Sequence, residues 1–246
     1  CSDNHPNKIR NTGDKAKLIS ANDNTGFTFR GRFIEAAQAV QVGYDVSQKA
    51  HNALKWLIQK QGKSFGGRVF LLWGTNNEKT PVPTDDTFDL CGFEPEDFSY
   101  TKEEIAERFN RAIAGYNAEI GSKTKLVLIG LDSATKGRLS ITFYREFLGE
   151  QGNELIDRIE KWHKDLRWHQ RYIKEKRFIS FDGAPSPKDI ALAAYGTEQK
   201  GMISADDKII GATVERLLPC ISDGVRLPRD IMLAAVNKCF HPQNYQ

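Results

Sequence analysis

The sequence is poor in the features that build metal sites and membrane spans. Its four cysteines stand far apart and form no CxxC pair, which argues against a zinc knuckle. No apolar run approaches the ~18–20 residues that a membrane-spanning helix needs. The chain has no initiator methionine, and its first ten residues lack the apolar core of a secretory signal. We therefore expect a piece of a longer, cytoplasmic protein with reduced thiols.

Motifs that carry chemistry are also lacking. The five histidines form no HxxxH or HExxH pair, and the GxSxG motif is absent. Gly62-Lys63-Ser64 is not a phosphate-binding loop, because Leu57 occupies the place of the earlier glycine that this motif requires. His51 lies on the apolar face of a predicted helix, which favours a hydrogen-bonded core residue over a catalytic base. We predict a protein that is not an enzyme, with no catalytic residue, metal or cofactor.

Charge is unevenly divided along the chain. The net charge is +3, yet residues 75–107 (the acidic segment) hold ten acids against two bases, so the remaining residues carry +11. Such an imbalance favours a polyanionic partner, above all nucleic acid; the alternative is a solvated charged face without a partner. The acidic segment contains three prolines and is predicted to be a loop. It either imitates nucleic acid and masks the basic surface, or is a solvated insertion.

Residues 158–177 concentrate positive charge, with eight bases against three acids. Apolar residues between Leu155 and Ile173, Trp162 among them, recur at helical spacing and predict a buried stripe on a helix over about 153–172. Lys164, Arg167, Arg171 and Lys174 fall on the opposite face, which predicts a basic ridge suited to phosphates.

A second basic stretch covers residues 1–32, and a third group of cations lies in the loop 131–138, which joins two predicted strands. Small hydroxyls, a glycine and two cations in this loop suit a phosphate or ribose oxygen; a hairpin whose Asp132 and Ser133 satisfy their own backbone is the alternative. The predicted nucleic-acid-binding residues are Lys8, Arg10, Lys15, Lys17, Arg30, Arg32, Lys136, Arg138, Lys164, Arg167, Arg171 and Lys174.

The order of predicted elements indicates an α+β fold with a small, mostly antiparallel sheet, long helices and a helical C-terminal portion. Apolar runs predict strands at 68–74, 125–131, 138–147 and 178–185. Start and stop signals predict helices at 34–61, 101–120, 186–196, 205–218 and 229–240, besides the basic helix. We divide the chain into an α+β region, 1–150, which contains the acidic segment, and a mainly helical region, 151–246.

Six strings occur in order along nearly the whole chain. They are HPNKIRNTGDKAKLISANDNTGFTFRGRF (5–33), VGYDVSQKAHNALKWLIQKQG (42–62), LDSATKGRLSITFYREF (131–147), IEKWHKDLRWH (159–169), GAPSPKDIALAAYG (183–196) and VERLLPCISDGVRLPRDI (214–231). Together they resemble the large-subunit family of type I-C CRISPR surveillance complexes, the Cascade of that subtype. Members of that family are considerably longer, and this chain is similar to their central part.

The resemblance implies a non-catalytic component of antiviral defence. In such complexes the guide RNA pairs with the target, and the large subunit inspects a flanking motif in duplex DNA. It also helps to open the duplex, holds the displaced strand and presents a platform for the helicase–nuclease. The partners implied are the other Cascade subunits, guide RNA, double-stranded target DNA, the displaced strand and the helicase–nuclease, with no membrane.

Two other functions stay open. The chain is either a scaffold that docks other subunits and guide RNA without touching DNA, or an unrecognised nuclease or nucleotide hydrolase. A nuclease would need carboxylates to hold a divalent metal ion, and the candidates are Asp132 with Asp182 or Asp165.

Overall fold

The computed structural model describes residues 8–10, 15–18, 33–34, 38, 42–94, 100–120, 124–135, 137–174, 176–199 and 201–241. The helices are α1 (Tyr44–Gln61), α2 (Thr87–Leu90), α3 (Lys102–Glu119), α4 (Glu150–Asp165), α5 (Pro187–Tyr195), α6 (Asp207–Ser222) and α7 (Arg229–Phe240). The strands are β1 (Lys63–Phe65), β2 (Arg68–Gly74), β3 (Lys125–Thr135), β4 (Arg138–Leu148), β5 (Trp168–Lys174), β6 (Arg177–Gly183), β7 (Thr197–Gln199) and β8 (Met202–Ser204).

The first four strands form one antiparallel sheet in the order β1-β2-β3-β4. Both faces of this sheet are covered, which explains why β2 and β3 are apolar without alternation. On β2, Val69 and Leu71 pack with α1, whereas Phe70 and Leu72 pack with helices α3, α4 and α6 on the other face. Two further antiparallel hairpins, β5–β6 and β7–β8, lie outside this sheet. The predicted α+β fold class is confirmed.

A third core, smaller than the two on the faces of the sheet, joins the hairpin β5–β6 to α2 and α3. It contains Phe88 from α2, Ile105 from α3, and Ile179 and Phe181 from β6, all buried. The ring centroids of Phe88 and Phe181 lie 5.6 Å apart, within the range of favourable aromatic pairs. This core fixes one face of the hairpin against the rest of the molecule and leaves the other face to solvent.

Local signals locate several helix ends correctly. Thr101 and Glu104 form a capping box at the start of α3, and Ser186 and Asp189 form another at α5, with Pro187 as its first residue. Gly62 ends α1, as predicted. The start of this helix differs from the prediction, because α1 begins at Tyr44 rather than near residue 34.

The predicted basic helix over 153–172 is wrong in its second half. Helix α4 ends at Asp165, and residues 168–174 form strand β5. Leu155 and Trp162 are buried as predicted, but Ile173, which falls in phase with them, is 74% exposed. The spacing predicts that Ile173 shares a helical face with Leu166, because two turns of a helix also cover about seven residues, although α4 ends before Leu166 and Ile173 lies on β5. No single helical ridge therefore carries the four cations predicted on it.

The acidic segment is packed into the fold within its described residues, so the prediction of a solvated insertion is wrong. Phe88, Leu90 and Phe93 are buried, and residues from Lys102 onward belong to α3. Prolines do not prevent the short helix α2, because the Asp86 carboxylate caps it and accepts the Asp89 N–H at 2.7 Å. Whether the segment imitates nucleic acid stays a prediction.

Candidate nucleic-acid interface

Most of the positive charge of residues 158–177 lies on or next to the hairpin β5–β6. Residues 166–177, which lead into β5 and cover the turn to β6, hold five bases against a single acid, Glu175. In contrast, α4 holds five acids against three bases. The bases of residues 166–177 are Arg167, Arg171, Lys174, Lys176 and Arg177.

The outward face of this hairpin also exposes large apolar side chains. Ile173 pairs with Phe178 across the strands, and these side chains are 74% and 58% exposed. Trp168, at the start of β5, is in phase with Tyr172 rather than with Ile173, but it is also 72% exposed. Exposed rings beside cations are typical of surfaces that stack nucleobases and contact phosphates. A rigid strand pair that presents both is therefore the strongest candidate for a nucleic-acid interface.

Alternation along the strands separates the two faces of the hairpin. Ile179 and Phe181 on β6 point into the third core, and the half-buried Tyr172 on β5 packs against the same core. His169 and Arg171 lie on the other face, opposite Asp182 and Ser180. The apolar inner face thus holds the hairpin in place while the outer face stays available to a partner.

A chain of polar contacts orients Arg171. Its Nε donates to His169 Nε2 at 3.2 Å, and His169 Nδ1 donates to Asp182 Oδ1 at 2.7 Å. Asp182 also pairs with Lys102 of α3 at 2.9 Å. The hydrogen bonds from Lys102 and His169 lower the pKa of Asp182, so this carboxylate stays ionised. Arg171 therefore starts from an ordered position before any ligand arrives.

A second polar contact ties β5 to α2. The Tyr172 hydroxyl donates to Asp86 Oδ2 at 2.7 Å, and Asp86 is only 6% exposed. Burial raises the pKa of Asp86 to about 6, against the hydrogen bonds that favour its ionised form. Burial, together with the charge of Asp86, also raises the pKa of Tyr172. This acid of the acidic segment is thus a structural anchor for the basic hairpin.

The cations of α4 are mostly matched by acids of the same helix. Lys164 pairs with Glu160, and Lys161 pairs with Asp165 one turn later. Arg158 donates to Glu154 and also to the Ser222 carbonyl. Pairs of this kind on an exposed helix offset local charge and contribute little stability. Lys164 therefore presents less net charge than the predicted ridge implied, whereas Arg167 and Arg171 lie beyond the helix.

The structure brings some N-terminal cations to the β3–β4 end of the sheet. Lys17 forms a parallel bridge with Arg138, and its carbonyl accepts the Leu139 N–H at 3.0 Å. Arg10 is 9% exposed and donates to the Gly67 carbonyl at 2.6 Å, so its guanidinium holds the fold at this corner. Lys8 and Lys15 are exposed. Arg30, Arg32 and Lys136 lie outside the described residues, as does the side chain of Lys174.

Most of the predicted loop 131–138 is strand, because β3 extends to Thr135 and β4 begins at Arg138, and the contacts of Asp132 are those of the hairpin alternative. Asp132 Oδ1 accepts the Ser133 N–H at 2.6 Å, and Asp132 Oδ2 accepts Arg68 Nε at 2.9 Å. Burial raises the pKa of Asp132, but these hydrogen bonds outweigh it and the net effect lowers the pKa. Arg68, which also pairs with Glu215 of α6, carried no sequence signal, because its partners lie 64 and 147 positions away.

The described residues contain no group of three acids, histidines or cysteines arranged to hold a metal ion. The nuclease candidates each have cationic partners: Arg68 for Asp132, Lys161 for Asp165, and Lys102 for Asp182. Among the described helices, none combines the length and the apolar character that crossing a bilayer requires.

Comparison with known proteins decides the family. The model of the CRISPR-associated protein family Cas_Csd1 matches residues 1–246. The chain belongs to this family. The resemblance to the large subunit of type I-C Cascade is thereby confirmed, and the protein is a CRISPR-associated component of a Cascade complex in antiviral defence. A search of curated proteins gave no match.

Family membership and the hairpin geometry address different questions. Membership places this Csd1-family chain in a complex with other Cascade subunits. The hairpin identifies a surface whose charge and exposed rings suit a polynucleotide. Lys176 and Arg177, two of its cations, were missed as single candidates, although both lie in the charge-rich stretch 158–177.

Proposed function

We propose that this protein is a non-catalytic nucleic-acid-binding component of the type I-C complex. The hairpin β5–β6 contacts target DNA, its displaced strand or the guide RNA in the assembled particle. Through that contact it helps to recognise the duplex, keep the strands apart and present a surface to the helicase–nuclease, in the cytoplasm where the complex acts. The single observation that carries this proposal is that residues 166–177 hold five bases against one acid, on an anchored hairpin that also exposes Trp168, Ile173 and Phe178.

Electrostatics and stacking supply complementary parts of the binding energy. Each phosphate that a cation neutralises releases counterions and adds ~0.7–0.9 to the log–log salt dependence of binding. Each base that stacks on an aromatic ring contributes about 1–3 kcal/mol without regard to sequence. Both terms are independent of base identity, which suits a complex in which the guide RNA reads the sequence by pairing.

The proposal is tested by charge removal in the assembled complex. Arg167→Gln, Arg171→Gln and Lys176→Gln together remove three cations and keep polar side chains of comparable length. We expect weaker binding to target duplex and a salt slope that is smaller by about 2–3. The matched control is Lys49→Gln, Lys188→Gln and Lys208→Gln, which removes the same charge from exposed positions on α1, α5 and α6.

The two variants separate the proposal from its alternatives. If both give the same small change in slope, the hairpin is not a site of phosphate contact. A complex that fails to assemble only with the hairpin variant indicates a scaffold whose basic face docks another subunit. Nuclease turnover that depends on a divalent metal ion would contradict the non-catalytic role.

A further inference from the structure

A cavity of about 240 Å³ lies at the base of the hairpin, between α3, α4 and β6. Ala106 and Phe109 of α3 form an apolar wall, and Asn110 on the same helix supplies an amide. Lys164 and Arg167 also line the cavity. Ligand pockets usually enclose about 300–1,000 Å³, so this smaller volume suits a single planar ring system better than a larger ligand.

The lining contains a polar atom without a partner. The Thr87 hydroxyl accepts the Ala184 N–H at 2.7 Å and forms a hydrogen bond with His163 Nδ1 at 2.9 Å. His163 is 3% exposed, and its Nε2 has no hydrogen-bond partner among the described residues. Burial lowers the pKa of His163 to about 4, which keeps the ring neutral. A buried polar nitrogen left unpaired is costly whether it donates or accepts, so a polar ligand group that reached it would be favoured.

Resting on the proposed function, we infer that this cavity binds one unpaired nucleobase of the polynucleotide held by the hairpin. The base stacks beside Phe109, its edge forms one hydrogen bond with His163 Nε2 and another with Asn110, and its phosphate meets Arg167. Three observations favour a nucleotide over a purely apolar ligand: continuity with the basic hairpin, a cation at the cavity, and a polar edge on an aromatic wall.

The test uses the assembled complex with 2-aminopurine placed at successive positions of the displaced DNA strand and, in a second arm, of the unpaired guide RNA. The fluorescence of 2-aminopurine changes when it leaves its stacked neighbours, and we expect this change at one position of the strand. Ala106→Phe fills the cavity and should abolish that signal. The matched control is Ala112→Phe, which makes the same change at a half-buried position of α3 outside this cavity.

A second measurement does not depend on any protein variant. Removing the base at the signalling position, to leave an abasic nucleotide, should weaken binding by about 5- to 150-fold with the unmodified protein. The same abasic strand should bind the Ala106→Phe complex no more weakly than an intact strand does. The arm that gives the signal identifies DNA or RNA as the source of the base.

The inference fails if no position in either arm distinguishes the unmodified protein from Ala106→Phe, or if abasic strands bind as tightly as intact ones. That failure differs from failure of the proposed function. The hairpin can retain its salt-dependent phosphate contacts without a base in the cavity, and the slope of the hairpin variant measures those contacts separately.

Discussion

Replacing Asp86 with asparagine tests how the acidic segment holds the hairpin. This carboxylate caps α2 and accepts the Tyr172 hydroxyl, both at 2.7 Å, while it is almost fully buried. Its folded-state pKa of about 6 exceeds the ordinary value of 3.8 because burial penalises the charge. The folded state therefore binds the proton more tightly, and the stability that this proton confers is lost as the pH rises from about 4 through about 6.

The magnitude follows from the pKa difference. A shift from 3.8 to about 6 corresponds to about 3 kcal/mol, since one pKa unit is worth ~1.4 kcal/mol. Asparagine resembles the protonated carboxyl group and cannot ionise. Asp86→Asn should therefore raise the free energy of unfolding, relative to the native sequence, by about 2–3 kcal/mol more at about pH 7.5 than at about pH 4. His163, whose low pKa acts with the opposite sign, is present in both proteins and cancels in the difference.

The assay is urea unfolding of the two proteins at these pH values, followed by circular dichroism. Asp86→Ala is the matched control, because it also removes the charge but loses the cap and the partner of Tyr172. Asp86→Ala should show the same pH dependence as Asp86→Asn, with a free energy of unfolding about 1–2 kcal/mol lower at every pH. A difference between Asp86→Asn and the native protein that is constant with pH, or that shrinks as the pH rises, would refute the reasoning.

Two further substitutions test the fold that positions the site. Gly66→Ala should lower the free energy of unfolding by more than about 3 kcal/mol, because φ is +57° and a Cβ would lie 1.6 Å from the Asp207 carbonyl oxygen. Gly67→Ala, where φ is +83° but a Cβ would meet open space, should lower it by only about 1 kcal/mol. Equal melting temperatures for these two variants would contradict the close approach of α6. Thr101→Ala should lower the free energy of unfolding, measured by thermal denaturation, by about 1 kcal/mol, whereas Thr101→Ser, which keeps the capping oxygen, should lower it much less. Equal losses of stability in the two variants would argue against the capping box.

Sequence signals succeeded where the physics is local. The capping boxes at Thr101 and Ser186 need only residues three positions apart, and the sequence locates both. The apolar runs at 68–74 and 125–131 are strands for an equally direct reason, because sheets covered on both faces leave no polar alternation. His51 was also predicted correctly: it is fully buried, donates to the Ser47 carbonyl and accepts the Leu18 N–H.

Sequence signals failed where distant residues decide. The switch from α4 to β5 depends on Tyr172 finding Asp86 and on β5 pairing with β6, neither of which helical periodicity can register. The acidic segment looked like a solvated insertion because its charges dominate its composition, whereas its few apolar residues supply much of the third core. Charge counts likewise could not show that Lys164 pairs with Glu160, or that Lys164 and Arg167 line a cavity.

The central claim is that the outer face of β5–β6 touches a polynucleotide in the assembled complex. The most direct measurement is photo-crosslinking with p-benzoylphenylalanine in place of Phe178, which is 58% exposed on that face. The control places the same amino acid at Tyr44, 54% exposed at the start of α1. We predict that irradiation of the complex on target DNA joins position 178, and not position 44, to DNA or guide RNA. Crosslinks from position 178 to protein subunits alone would contradict the account.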